Sequence, residues 1–382
     1  MDSVVIRNGT IVDVEKMRVF EADLAVTDGV IARIGPGLCG YAVQEIDAAG
    51  CMVTPGLIDH HTHLYPMSRI GIPGEAVCFS SGVTTAVDAG SAGCDTYEDG
   101  FWTLRGGKLE VKAYVNVCGT GLDSLPEQTE DVRPERMDAG RLKELFARHG
   151  NELLGLKLRT SRNIVGELGY RPLKAAVSLG EKLGVPLMVH ITDPPGPLDT
   201  LFSLLRPGDI VTHMYQNTGF NLLRGGAVLE EAYRARERGI LFEAADVRAH
   251  FSFEVCEQAF CEGFFPDFIG TDLTKFSMFQ RPTTFNLAMQ LSKYTCLGML
   301  FPEAVRCMSR NPAVHMGISD RVGSLAPGMQ ADIAVFKPCA AKNVFGDRPF
   351  MEQRGELREG ELLYLPVLTI KKGELVYTSL LV

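Results

Sequence analysis

Two histidines one residue apart, His61 and His63, close the run Val53-Thr54-Pro55-Gly56-Leu57-Ile58-Asp59-His60-His61-Thr62-His63. An apolar run after a Pro-Gly break reads as a buried strand, and side chains two apart on a strand point the same way, so both imidazoles project together from its far end. That is half of a metal site; the plainer alternative has one ring stacked on the core and the other capping a turn. Other apolar runs also end in polar residues: Lys157 in Gly155-Leu156-Lys157-Leu158-Arg159, His190 in Leu187-Met188-Val189-His190, His213 in Ile210-Val211-Thr212-His213, and Asp272 in Ile269-Gly270-Thr271-Asp272. Such residues cost free energy if merely buried, but gathered at one mouth they can share a ligand.

The elements that must position them repeat as strand, loop, helix. Strands are expected near Val53 to Asp59, Thr84 to Asp88, Val111 to Val117, Leu153 to Leu158, Val185 to His190, Asp209 to His213, Ile240 to Ala244 and Asp267 to Asp272. Helical patterns lie between most of them: Arg136 to Arg148, Pro172 to Leu183, Ala227 to Arg238 and Phe253 to Glu262, the last three each followed by glycine, the usual stop. Leu287 to Met299 and Pro302 to Arg310 read as further helices, the second ending before Asn311-Pro312. In an open sheet a ligand at a switch point touches few strands, so strand ends sharing one site require the sheet to close. The expected fold is therefore α/β, a (β/α)8 TIM-like barrel over residues 52–321. Both ends of the chain have a different texture, with short alternating segments broken by Asn8-Gly9, Asp28-Gly29 and Lys372-Gly373, which read as hairpin turns. Residues 1–51 and 322–382 are expected to form one small, discontinuous β-sandwich domain of antiparallel strands, with Pro338 to Gly360 as an exposed loop.

Composition narrows the function classes. The chain has 382 residues, 46% hydrophobic and 22% charged, within the range of globular proteins, and no apolar run is long enough to span a bilayer. A formal charge of -9 without a basic cluster argues against nucleic acid. The start of the sequence lacks the pattern of an export signal, and the 10 cysteines lack paired metal spacings, reading as small buried hydrophobes in a reducing compartment. A cytoplasmic enzyme is expected, with a small-molecule substrate as partner and neither nucleic acid nor membrane; a homo-oligomer stays open.

In identity and chain order the strand-end residues resemble the amidohydrolase superfamily in its binuclear-metal form. Pro55-Gly56-Leu57-Ile58-Asp59, Gly82-Val83-Thr84-Thr85 and the segment Gly323 to Val335 share that likeness. Gly155 to Arg159, Val189-His190 followed by Pro194-Pro195, Asp209 to His213, Thr271-Asp272, and Ser292-Lys293 with Leu297-Gly298-Met299 are most similar to its dihydroorotase-like branch, often labelled amidohydrolase/deacetylase. The resemblance implies two divalent ions, Zn2+ by the nitrogen and oxygen donors. His61, His63 and Asp272 would hold the more buried ion and His190 and His213 the more exposed one. Lys157 would bridge them as N6-carboxylysine, because an ammonium repels metal whereas a carbamate is an anionic oxygen ligand. The implied reaction is hydrolysis of an amide or ester in a small acylated compound by a metal-bridging hydroxide, with Asp272 as general base and then general acid.

Around this set, Arg159 lies two residues past Lys157 and could clamp a substrate carboxylate or form a supporting salt bridge. Asn217 could bind substrate or cap a loop, and Asp59 is expected to orient a ligand histidine. Cys118 and Tyr215 read as packing residues, and His60, His149, His250 and His315 as structural or surface residues. The chain departs from the branch at Ala245-Asp246-Val247, where a Gly-His-Gly-like turn is expected, and at Thr274, where a histidine is common. Asp246 could receive a cationic substrate group or be a plain loop carboxylate. Ring opening of a cyclic amide, as in dihydroorotase or hydantoinase, is the alternative activity; a non-catalytic barrel is the third reading.

Overall fold

The computed structural model describes residues 2–122, 129–246, 250–279, 282, 285–347 and 355–379. Eight parallel strands follow the chain in order: β1 (Leu57–Thr62), β2 (Val83–Gly93), β3 (Glu110–Asn116), β4 (Leu153–Arg159), β5 (Leu187–His190), β6 (Ile210–Thr212), β7 (Leu241–Ala245) and β8 (Phe268–Gly270). The sheet curls until β8 meets β1. Beyond the regular ladder, Thr271 N–H donates to the His61 carbonyl at 3.1 Å and His63 N–H to the Leu273 carbonyl at 3.2 Å. Glycine permits this seam: a Cβ on Gly270 would lie 2.7 Å from the His61 Cβ, so any side chain there would push β8 off β1.

Helices cover the barrel through narrow apolar faces. Arg171–Leu183 buries Leu173, Ala176, Leu179 and Gly180, the spacing of one helical stripe, and stops at Gly184 as expected. The helix expected from Ala227 begins later, at Glu230–Glu237, because Ala227–Val228 pairs with Leu223–Arg224 in a small ribbon. Asn311-Pro312 does not lie beyond the last helix; it falls within a separate helix, Arg310–His315, that follows Phe301–Cys307, since proline is tolerated in a first turn. No helix among the described residues is long and apolar enough to cross a membrane.

Both ends of the chain build a second sheet of eight strands, running Glu374–Thr378, Leu357–Lys371, Ile333–Gly346, Met52–Pro55, Asp2–Asp13, Arg18–Thr27 and Val30–Gly35, with Ala42–Asp47 also on Asp2–Asp13. Its apolar core joins Ile6, Leu24, Val26 and Ile31 to Ile333, Val335 and Ile370. Four expectations are corrected here. The sheet is mixed, because Ala42–Asp47 and Met52–Pro55 run parallel to the first strand. Asn8-Gly9 is a bulge within that strand and not a hairpin turn: Asn8 takes φ 56°, and its N–H donates to Asp23. The run expected as the first barrel strand is divided at Gly56, Met52–Pro55 serving the terminal sheet and Leu57–Thr62 the barrel. Pro338 to Gly360 is largely an antiparallel ribbon, with Lys342 and Glu359 exposed while Phe345 and Asp347 are buried; residues 348–354 lie outside the described ones.

A buried ion cluster pins the terminal sheet to the barrel. Lys371, 2% exposed, reaches Asp332 at 2.7 Å and Glu110 at 3.6 Å, and Glu110 also takes the Arg321 guanidinium at 2.7 Å. These neighbours hold the Glu110 carboxyl down at about 2 against the pull of burial. Removing one partner of a buried pair strands the other charge. Asp332→Ala is therefore expected to lower stability by about 3 kcal/mol, read as a lowered urea midpoint with an unchanged slope.

Candidate metal centre

Every residue that the sequence places at a barrel strand's end arrives at one mouth. His61 Nε2 and His63 Nε2 lie 3.4 and 3.2 Å from the same oxygen of Asp272, and Lys157 Nζ lies 3.4 Å from His61 Nε2. The His190 and His213 rings meet edge to face at 4.4 Å, and His213 stands 5.1 Å from His61. All six side chains are buried. Backbone strain accompanies the convergence, for His213 and Asp272 both adopt left-handed φ, 67° and 53°, a conformation side chains other than glycine rarely take. The space is also made by omission: a Cβ on Gly90 would sit 2.5 Å from the Lys157 Cβ.

A surrounding layer turns the imidazoles inward. His61 Nδ1–H donates to Glu243 Oε2 at 2.7 Å, while His60 Nδ1–H donates to Oε1 at 2.6 Å. His63 Nδ1–H donates to Ser91 Oγ at 2.8 Å, and that hydroxyl passes its own proton to Asp88 at 2.8 Å. His213 Nδ1–H donates to the Ala245 carbonyl. With Nδ1 of His61, His63 and His213 committed outward, their Nε2 atoms are left for the cavity that these rings line, which is how protein groups fix a metal-binding tautomer.

Electrostatics favour uncharged His190, His213 and Lys157 beside ionised carboxylates, whereas against burial and the Lys157 charge the carboxylates Glu243 and Asp272 raise His61 above the ordinary histidine value. Burial keeps His190 and His213 well below the ordinary histidine range and brings the Lys157 amine down to about 8, although Glu243 and Asp272 pull that amine back up. Burial would raise Asp272 and Glu243, yet the histidines hydrogen-bonded to them hold both well below the usual carboxylate range. Donor atoms of His61, His213 and Asp272 lie within 4.8 Å of one another, and so do those of His190, His213 and His250. Neutral imidazoles with a carboxylate, buried and preorganised, fit divalent cations of the zinc type.

Several residues play parts other than those expected. Asp59 meets a ligand histidine through its backbone and not its ring, accepting from His61 N–H at 3.4 Å; it also accepts from Thr271 N–H at 3.0 Å and Thr271 Oγ1–H at 2.7 Å, clamping the β8 end. Glu243 does the orienting, and its signal in the sequence was a carboxylate inside the apolar run Ile240-Leu241-Phe242-Glu243-Ala244. His250 is neither structural nor on the surface, since it lines the cavity with its Nε2 3.5 Å from Asp272. Asp246 is fully engaged by Lys293, Gln290 and the Tyr294 hydroxyl, so it has no place for a cationic substrate. Val247 lies outside the described residues. Arg159 both lines the cavity and pairs with Glu130 at 3.1 Å, and Thr274 lines the cavity too. Asn217 is half-buried and is not among the described residues lining the cavity. Cys118 and Tyr215 are buried; five of the ten free cysteines are buried, whereas Cys39, Cys261 and Cys296 are exposed.

The cavity, about 210 Å³, is lined by Ile70, Leu122 and Phe276 as well as by the polar cluster. A larger one of about 690 Å³ opens near the starts of β7 and β8, beside Glu15, Asp267 and Arg310, away from these donors.

Comparison with known proteins follows the same lines. The model of the amidohydrolase family matches residues 52–363. A deacetylase of Agrobacterium fabrum is 34% identical over 357 residues, covering 92% of this chain and 86% of its own. The crystal structure of a dihydroorotase, 30% identical, superposes with a TM-score of 0.87 over 99% of this chain and 98% of its own. That of an adenine deaminase, 25% identical, does so with a TM-score of 0.89 over 99% and 100%.

Glu243→Gln leaves one oxygen to accept from two imidazoles. It is expected to weaken binding of the cation at His61 by about 10- to 100-fold, measured as zinc retained after dialysis against a graded chelator.

Proposed function

The chain belongs to the amidohydrolase family and is a hydrolytic enzyme acting on C–N bonds, and from that premise we propose that it removes an acyl group from a small amide, or the corresponding ester, as a two-cation deacetylase. The observation that carries this reading is Lys157: an amine only 2% exposed, 3.4 Å from His61 Nε2, inside a cluster of metal-type donors. A protonated lysine would oppose any cation there. With its pKa brought down to about 8, the amine reaches its neutral form readily. That nitrogen adds the carbon of CO2 and loses one proton, leaving an N-carboxylate that can bridge two cations.

In this reading His61, His63 and Asp272 hold one cation and His190 and His213 the other, with Lys157 between them. When bound, such a pair, taken as Zn2+, supplies Lewis acidity and brings a water's pKa toward neutrality. Asp272 is the base. It is ionised, and its second oxygen is directed to the open side of the cavity, 3.5 Å from His250 Nε2, so it can take the attacking water's proton and return it to the departing nitrogen. Arg159 donates to Glu130 from Nη1, and its other N–H groups suit an acidic group on the substrate. Ile70, Leu122 and Phe276 supply an apolar wall for the rest. Support for deacetylation comes from the similar Agrobacterium fabrum enzyme; the dihydroorotase structure favours ring opening as the second reading. Free cysteines throughout suit a reducing compartment, so we place the enzyme in the cytoplasm.

The test is zinc-loaded protein in bicarbonate, assayed against N-acyl amino acids, O-acyl hydroxy acids and cyclic imides. Release of a free carboxylic acid together with an amine or alcohol is expected; turnover confined to cyclic imides, with no fragment released, would establish the second reading instead. Lys157→Ala should lose one or both cations and regain part of its activity with added short-chain carboxylate. Asp272→Asn should lower kcat by about 100- to 10,000-fold in steady-state assays.

A further inference from the structure

The third imidazole at the open side of the cavity has no role in the scheme above. His250 lies beyond β7, next to Phe251 and hydrogen-bonded to Asp246, two residues that are themselves anchored. Asp246 on one side is 1% exposed and tied to Lys293, Gln290 and Tyr294. Phe251 on the other side is equally buried, edge-on to Tyr215 and Phe253, with the Lys293 ammonium 3.4 Å above its ring. His250 N–H itself donates to the Asp246 carbonyl at 3.2 Å. So anchored, its ring packs at 4.3 Å from His213 and, edge to face, at 4.9 Å from His190.

The wiring of His250 matches that of the histidines already placed around the cations. Nδ1 turns outward to Thr192 Oγ1 at 2.8 Å, and Nε2 faces inward, 3.5 Å from Asp272 Oδ2. One nitrogen from each of His190, His213 and His250 falls within 4.8 Å of the other two, the separation expected of three donors around a single ion. Three imidazole nitrogens this close, two on buried rings and the third at the open side, are arranged to share a cation.

Building on the two-cation reading, we propose that His250 is a third protein imidazole for the cation held by His190 and His213. The more exposed cation then has three histidines in addition to the Lys157 carbamate, and fewer coordination positions remain for substrate. Asp246 and Thr192 become positioning residues, the first accepting the His250 N–H and the second aiming the ring. The Ala245-Asp246 departure thus has a purpose, since the buried Asp246–Lys293 pair fixes the residue whose carbonyl accepts the His250 N–H.

The experiment is metal binding, not turnover. Apo protein, together with His250→Ala, His250→Gln and Thr192→Val, is titrated with Zn2+ against a competing chelator, with bound zinc counted by mass spectrometry, and then loaded with Co2+ for visible spectra. Wild type is expected to bind two ions. Both His250 variants should lose about tenfold or more in affinity for one ion and keep the other unchanged, with the Co2+ bands of the weakened ion altered. Thr192→Val, which leaves the ring in place, should weaken the same ion by a smaller factor, and it decides the matter if the His250 variants prove misfolded by near-ultraviolet dichroism. Two ions bound at wild-type affinity with unchanged Co2+ spectra in these variants would overturn the proposal and leave the two-cation reading standing. A folded wild-type protein that binds no ion would overturn both.

Discussion

An amine, several imidazoles and a carboxylate are buried within a few ångströms of one another, and that crowding is the constraint to which the rest of the molecule answers. Polar groups withdrawn from water must be paired, and like-signed donors must be kept neutral or neutralised. The molecule does this from outside the cluster. Glu243 accepts from two histidines, Ser91 and Asp88 relay from His63, the Ala245 carbonyl takes His213, and Thr192 meets His250. The outward bonds of His61, His63, His213 and His250 fix those rings, and the nitrogens left over are of a kind that suits cations.

Only a closed barrel can supply those side chains. The clustered side chains come from the C-terminal parts of β1, β4 and β5 and from just beyond β1, β6 and β8, which adjoin only because β8 folds back onto β1 across Gly270. Asp59 reinforces the closure by holding Thr271 through two hydrogen bonds, thereby setting the height of Asp272 beside the two β1 histidines. The terminal sheet contributes indirectly, buttressing the opposite rim of β3 through the Lys371, Asp332, Glu110 and Arg321 cluster. Left-handed backbone at His213 and Asp272 fits this picture, strain being held in place where the surrounding packing over-determines the chain.

Much of this was legible in the sequence, for an identifiable reason. His61, His63, Lys157, His190, His213 and Asp272 each end an apolar run, and in a parallel barrel the ends of such runs share one mouth. What escaped was set by tertiary pairing. Glu243 lies inside a strand, with no local sign that two imidazoles will arrive from β1. His250 sits past the strand end, where the period of the strand no longer says which way a side chain points. Asp246 read as a free carboxylate because Lys293 is 47 residues away. At the termini, Asn8-Gly9 has the chemistry of a hairpin turn, but its strand continues, since Asp23 and Asp47 secure Asn8 in a bulge.

The account stands or falls on what lies at Lys157 Nζ between two cations. A crystal structure of zinc-loaded protein grown with bicarbonate, with anomalous difference maps at the zinc edge, shows this directly. Two peaks about 3.5 to 4 Å apart, joined by planar density extending from Lys157 Nζ, are the predicted result. A bare amine at Lys157 in a fully metallated cavity, or peaks away from these side chains, would contradict it.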